Sequence, residues 1–517
     1  MPTSKQRTQR AVVIGSGFGG LAAAIRLQAA GVQTTLLETL DKPGGRAYVF
    51  KDQGFTFDAG PTVVTAPDCI EELFTIAGKS MRAYVELMPV APMYRLFWED
   101  GTTFDYDTDD DKLKAEIRRL SPDDVEGYGR FLRYATRVFD AGYTNLCHVP
   151  FLRFWDMIKV APQLVTLAAH RPVYDTVAKY FKSEKLRQAF SFNSLLIGGN
   201  PFKASSIYTL IHPLEKRWGV YFPRGGTHAL VTALARLFQD LGGVMQVSCG
   251  AARIETSGQQ VTGVTDEAGK LHPCDLVVSN ADVVNTYKRL MPDLPAARRS
   301  ARRLTGRRHS MSLFVMYFGT RRAYPGLTHH NVMFGSRYRE LLKDIFDRGH
   351  LADDFSLYLH APTLTDPSLA PPGCHSFYVL SPVPHLGKAP LDWDRVGPAY
   401  ADRIVNYLDE RYMPGLKQDI VTRRLFTPAD FRDRLGAHVG AAFSLEPTLT
   451  QSAYFRVHNR DDQIGGLYFV GAGTHPGAGI PGVIGSAKAT YSVIAKDIGL
   501  APAPAAQFNP AWEPAHA

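Results

Sequence analysis

The residues best equipped for chemistry lie in three stretches of the chain. The first is Gly15-Ser16-Gly17-Phe18-Gly19-Gly20, a G-x-G-x-x-G run between the apolar β-formers of residues 11–14 and a helical pattern set by Leu21, Ile25 and Leu27. Gly31 stops that helix, residues 32–37 read as a second strand, and Glu38 follows it. In such a unit Gly15 permits the tight turn, Gly17 lets backbone approach a pyrophosphate, and Gly20 lets the helix pack on the strand. Free N–H groups and the dipole at the helix N-terminus favour phosphate, and Glu38 stands where a carboxylate accepts from a ribose hydroxyl. The second stretch is residues 466–486, GLYFVGAGTHPGAGIPGVIGS, read as a buried strand, a glycine/proline loop and a helix beginning near Gly482. Glycines allow backbone to approach a planar ring, and a new helix N-terminus points N–H groups at an electron-rich acceptor. Gly473, Gly482, Val483 and Ile484 are the candidate contacts. The third is Asp156, between Trp155 and Met157, with Arg153 and Lys159 three residues to either side on one helical face. Burial would raise the pKa of its carboxyl and make it a competent base, while Lys159 pulls the other way. A surface Asp–Lys pair fits the same spacing.

After Glu38 comes Thr-Leu-Asp-Lys-Pro-Gly44-Gly45-Arg46. This resembles the extended fingerprint of FAD enzymes of the amine oxidase/phytoene desaturase superfamily, and a guanidinium fork suits phosphate oxygens. The segments DKPGGRAYVF, DQGFTFDAGPTVV, VYFPRGGT and SAYFRVHNRD, with the 466–486 loop, resemble more narrowly the bacterial-type, lycopene-forming phytoene desaturases, over roughly residues 12–498. The resemblance implies FAD as cofactor, with Gly45 and Arg46 over its pyrophosphate and the Gly60 turn facing the flavin. It implies a nucleotide-domain return after Gly225 and Gly226, adenine against backbone near Ala251, and a flavin C2 carbonyl at the helix N-terminus near Gly482. It further implies successive desaturations of 15-cis-phytoene to all-trans-lycopene, loose membrane attachment, a quinone or oxygen as electron acceptor, and the Asp156 segment bordering a polyene channel. One departure is visible: the acid that often follows the C-terminal glycine in the wider superfamily is absent from Gly471-Ala472-Gly473. A polyene isomerase or saturase would share these motifs. An amine oxidase fits the 466–486 loop poorly, and a non-catalytic prenyl-lipid carrier would not need an intact pyrophosphate site.

The elements that must position these residues make an α/β fold, a Rossmann-like FAD-binding domain with an inserted α+β substrate domain. The FAD domain is expected from residues 11–90, 223–290 and 460–500, the substrate domain from 91–222 and 291–459, and a flexible tail from 501–517. Residues 89–106 alternate like antiparallel strands around a turn at Trp98-Glu99-Asp100-Gly101. Residues 121–170 read as mainly helical, and 227–241 as an amphipathic helix. Strands are expected at 244–248, 260–266, 275–279, 311–319, 355–360 and 377–380, and a helix at 398–413.

Hydrophobic residues at 45% and charged residues at 21% fit an ordinary folded chain rather than a disordered one. The five cysteines are far apart and include no CxxC, which argues against a disulfide framework or zinc site; no metal is expected. No run approaches the eighteen or so apolar residues of a spanning helix, and the first ten residues are polar and basic, so a cytoplasmic, peripheral protein is expected. Residues 294–339 contain ten arginines and no acid, six of the arginines falling between Arg298 and Arg308. That run fits a solvated face or a surface for anionic lipid headgroups; no nucleic-acid motif accompanies it. Residues 149–170 are apolar enough to dip into a bilayer interface, and equally suit a core helix with one polar edge.

Overall fold

The computed structural model describes residues 9–502. Five parallel strands form the first sheet, in the order Leu467–Phe469, Leu276–Ser279, Arg10–Ile14, Gln33–Leu37, Val244–Gln246. Its strands Leu467–Phe469, Leu276–Ser279 and Arg10–Ile14 are largely apolar without alternation because both faces are covered. Ala11 and Val13 pack with helices Phe18–Ala29, Thr227–Asp240 and Ile480–Ile498. Val12 and Ile14 face the other side, against helices Val283–Leu290 and Pro295–Thr305 and the antiparallel meander Ala251–Ser257, Gln260–Asp266, Leu271–Pro273. The arginine-rich helix Pro295–Thr305 thus seats Ala296, Ala297, Ala301 and Leu304 on the nucleotide sheet, although sequence reading begins the substrate domain at residue 291.

The second sheet has seven strands, in the order Ile420–Phe426, Ser312–Thr320, His375–Val383, Leu357–His360, His330–Phe334, Tyr94–Trp98, Thr103–Tyr106. All neighbours are antiparallel except His330–Phe334 beside Tyr94–Trp98. The hairpin at its end turns at Gly101, whose φ of 83° needs glycine. Ser312–Thr320 is buried throughout: Leu313, Val315 and Tyr317 join one aromatic core, and Phe314, Met316 and Phe318 join another beneath helix Trp393–Arg411. The segment expected to be helical at 149–170 is helix Phe154–Thr166, and none of its residues is buried. Among the described residues the five cysteines are free, and no helix is long and apolar enough to cross a membrane. Most of the 501–517 tail lies outside the described residues.

Candidate active site

A cavity of about 910 Å³ starts at the glycine turn and ends beneath the second sheet. At its nucleotide end, helix Phe18–Ala29 begins with neither a side-chain cap nor an acid in its first turn. Its first N–H groups are therefore left to a ligand, and only an anion suits them. Gly15 takes φ 90°, and a Cβ on Gly20 would stand 1.9 Å from the Gly15 carbonyl oxygen. Glu38 is buried at the end of the second strand and accepts from the N–H groups of Ser16 and Leu40 at 2.8 and 2.9 Å.

The Gly44-Gly45-Arg46 turn folds back over this loop, with Gly44 N–H 3.2 Å from the Ser16 hydroxyl. Arg46 lines the cavity and its Nε has no partner. Burial lowers its pKa and Asp282 opposes that. An orphaned guanidinium beside an open helix N-terminus fits a pyrophosphate. Gly60 packs on the same turn, where a Cβ would stand 1.8 Å from the Arg46 carbonyl oxygen. Ala251 lines the cavity beside Ala252 and Glu267.

The C-terminal loop closes the cavity from the other side. Helix Ile480–Ile498 starts earlier than sequence reading places it, because Pro481 is tolerated in a first turn. Val483 N–H donates to Gly479 at 2.9 Å, and Ile484 is buried in the core without lining the cavity. The open N–H groups are consequently those of Ile480 and Gly482, not those of Val483 and Ile484. Gly473 lines the cavity, and a Cβ there would stand 2.5 Å from Val283. The loop is held by residues whose role spacing alone did not reveal. The buried Arg456 guanidinium donates to the carbonyls of Thr474, Gln451 and Leu445 at 3.1, 3.2 and 3.3 Å. Asn459 donates to the His475 carbonyl at 3.3 Å, and His475 Nε2 lies 3.0 Å from the Leu146 carbonyl. Burial pulls the His475 pKa down to about 4, so its ring is neutral.

Beyond the glycine loops the lining turns apolar, with Leu195, Ile207, Leu313, Val332, Phe334 and Leu380. Met157, Val160 and Leu164 of helix Phe154–Thr166 close one side. Two polar groups interrupt this arm. Thr62 Oγ1 lies 2.7 Å from the Tyr378 hydroxyl and 3.1 Å from that of Tyr358. Glu215 accepts from Tyr94 at 2.7 Å and Asn193 at 2.8 Å, and burial pushes its pKa up to about 8. Neither cluster follows from a sequence motif; only the fold brings these residues together.

Three further expected site positions are placed elsewhere. Asp156 does not line the cavity: it is the third residue of helix Phe154–Thr166 and accepts from the Arg153 N–H at 3.1 Å, as a helix cap does. Gly225 and Gly226 also lie off the cavity. Gly225 N–H donates to Asp366 at 2.7 Å, and a Cβ on Gly226 would stand 2.8 Å from the Asp58 carboxylate. Asp58 in turn accepts from Thr227 and His228 N–H at 2.8 and 3.2 Å, and burial pushes its pKa up to about 6. Gly226 therefore clears space for an acid that caps helix Thr227–Asp240.

The sequence profile of the flavin containing amine oxidoreductases matches residues 18–490. Cyclohexylamine oxidase from Brevibacterium oxydans shares the fold with a TM-score of 0.60 at 16% identity, covering 95% of this chain and 100% of that one. The chain thus belongs to the flavin containing amine oxidoreductases, and its cofactor is FAD. It is 59% identical over 490 residues to a lycopene-forming phytoene desaturase of Pseudescherichia vulneris, covering 95% of this chain and 100% of the relative. A second lycopene-forming relative, from Pantoea ananas, is 60% identical over 486 residues, 94% of this chain and 99% of its own. Within the flavoenzymes, this chain is a member of the phytoene desaturase family.

Proposed function

We propose that this protein desaturates phytoene stepwise and releases lycopene, using FAD. The carrying observation is that one cavity joins the phosphate-binding loops to a long apolar arm. FAD supplies the oxidising power, taking up an electron pair with one hydrogen of each C–C unit. The chain's own residues do the rest. Arg46 and the N-terminus of helix Phe18–Ala29 would hold the phosphates, and Glu38 would hold the ribose. The N–H groups of Ile480 and Gly482 would stabilise charge on a ring carbonyl. Apolar walls exclude water and align the polyene. A lipid carrier without chemistry would not need the Arg46 cradle. A saturase or isomerase of the same family differs only in product.

The substrate is membrane-soluble, and helix Phe154–Thr166 suits docking to a bilayer. Its inner face lines the cavity while Trp155 and Val165, 69% and 71% exposed, face outward. Arg307 donates at 2.8 Å to the carbonyl of Phe455, whose neighbour Tyr454 packs on Phe154 with ring centroids 5.6 Å apart. Apolar and basic surface thus adjoin where an amphipathic helix would meet anionic headgroups. The electrons leave to a quinone or to oxygen. Expression in phytoene-producing cells, followed by pigment extraction, tests the reading: red lycopene is expected, and unchanged colourless phytoene would refute it.

A further inference from the structure

His330 opens strand His330–Phe334 and His360 closes Leu357–His360, where the two are register partners; His329 precedes them. All three are buried, and one ring nitrogen of each lies within 4.8 Å of one from both others. Burial holds all three below the ordinary histidine pKa, His329 at about 3, and no carboxylate acts on them. A divalent cation here would meet no compensating charge in a low-dielectric interior. Neutral imidazoles, each with one donor and one acceptor nitrogen, suit the passage of protons.

Hydrogen bonds run from this cluster in two directions. Towards the cavity, His330 Nδ1 lies 2.6 Å from the Tyr358 hydroxyl, which lies 3.1 Å from Thr62 Oγ1. Thr62 and Tyr358 both line the cavity, and Thr62 follows the Gly60 turn packed on Arg46. Towards the surface, His360 Nε2 lies 2.9 Å from His329 Nε2, and His329 Nδ1 lies 2.6 Å from Oγ1 of the half-buried Thr365. Only the step between His330 and His360 is open. Their rings stack 5.5 Å apart, and His330 Nε2 and His360 Nδ1 are both buried without a partner. One water molecule between them would satisfy both. A single set of tautomers then serves every link: Tyr358 donates to His330 Nδ1, His330 Nε2 to His360 Nδ1 through water, His360 Nε2 to His329, and His329 Nδ1 to Thr365.

We propose that Thr62, Tyr358, His330, His360, His329 and Thr365 form a proton wire from the cavity to solvent. The inference rests on the dehydrogenation reading above. Each desaturation removes two hydrogens: one leaves with its electron pair to the oxidised flavin, and the other leaves as a proton while its C–H electrons become the new π bond. That proton enters at Thr62 and Tyr358, each link passes on its own, and one proton emerges at Thr365. Neither Asp156 nor Glu215 offers a better exit, since Asp156 caps a helix outside the cavity lining and Glu215 is held neutral by burial up to a pKa of about 8.

The test is anaerobic stopped-flow reduction of the FAD holoenzyme by phytoene in vesicles, in H₂O and D₂O. Tyr358→Phe and Thr365→Val should slow reduction about tenfold or more and enlarge the solvent isotope effect, with bound flavin unchanged. Tyr106→Phe removes a similar Tyr–His212 contact from a pair that does not line the cavity and should leave the rate unchanged. In the FAD-free protein, ¹⁵N NMR of labelled histidines should place the proton on Nε2 of His330 and Nδ1 of His329; the opposite tautomers would overturn the wire. So would normal reduction in both variants, or a stoichiometric metal that His360→Asn removes. Absence of phytoene-dependent reduction in the unaltered holoenzyme would overturn the dehydrogenation reading, and the wire with it.

Discussion

The Ser16 N–H donates to the Glu38 carboxylate at 2.8 Å, and the Ser16 hydroxyl bonds the same oxygen. That hydroxyl also accepts from Gly44 N–H at 3.2 Å. A variable position of the glycine fingerprint therefore ties the turn, the Glu38 carboxylate and the arginine-bearing loop into one unit.

Glu38→Ala should break this unit as well as the ribose contact. Removing a buried charged acceptor costs about 1–3 kcal/mol, which corresponds to FAD binding weaker by roughly 5- to 150-fold. Fluorescence titration of the FAD-free protein measures this directly. An unchanged affinity would mean that Glu38 only braces Ser16.

Two glycines of the fingerprint should fail in different ways. A Cβ on Gly20 would lie 1.9 Å from a backbone oxygen, so Gly20→Ala must push helix Phe18–Ala29 off its strand. It should cost about 1–3 kcal/mol and lower both the melting temperature and flavin content. A Cβ on Gly17 meets the Asn280 side-chain amide at 3.0 Å and the Gly44 carbonyl oxygen at an ordinary 3.8 Å. Gly17→Val should therefore keep the fold but block the phosphates, giving colourless protein with a near-normal thermal transition. Stoichiometric flavin in Gly17→Val would place the pyrophosphate elsewhere.

How much of this was legible beforehand follows from what is local. The five strands of the nucleotide sheet, the Gly45-Arg46 turn and the Gly60 turn follow from short-range patterns, because each glycine answers to a neighbour close in the same unit. The start of helix Ile480–Ile498 was misjudged, since Pro481 reads as a breaker yet is compatible with a first turn. Asp156 stays open between two readings in the sequence because an acid at the third helical position looks the same whether it caps or catalyses. Strands Ala251–Ser257, His330–Phe334 and Ile420–Phe426 escaped notice because polar residues such as Arg253, His330 and Arg423 interrupt their patterns. The Thr62–Tyr358–Tyr378 and Tyr94–Glu215–Asn193 clusters join residues more than a hundred positions apart. No window of sequence contains them.

Glu215 gives a pH signature. Its folded-state pKa is raised from the ordinary 4.5 to about 8, so the folded chain holds a proton that the unfolded chain releases. Stability from this group is fully present below about 4.5 and is lost as pH rises towards about 8, at up to about 1.4 kcal/mol per unit. Glu215→Gln keeps the shape, and the Tyr94 hydroxyl can turn to accept from the new amide. Melting curves from pH 5 to pH 9 should decline less steeply for Glu215→Gln than for the unaltered protein. Parallel curves would show that Glu215 ionises normally.

The membrane reading makes separable predictions for its apolar and basic parts. Trp155 and Val165 are 69% and 71% exposed on the outward face of helix Phe154–Thr166. Burying apolar surface is worth about 25 cal/mol per Å², so Trp155→Ser with Val165→Ser should weaken vesicle binding strongly at any ionic strength. The arginines divide into two sets. Arg308 bonds the buried Glu446 and Arg307 holds the Phe455 carbonyl, so both have structural work. Arg302 and Arg303 are exposed on helix Pro295–Thr305. Replacing those two by Gln should remove about 1 kcal/mol each on anionic vesicles and nothing on neutral ones. That loss should vanish as salt shortens the Debye length to about 3 Å near 1 M. Sedimentation with vesicles of both compositions distinguishes the contributions. Because Met157, Val160 and Leu164 of the same helix line the cavity, the serine pair should also slow phytoene uptake from vesicles while leaving FAD binding intact. Vesicle binding unmoved by either pair of substitutions would leave this helix as cavity wall alone, with the substrate entering by another face.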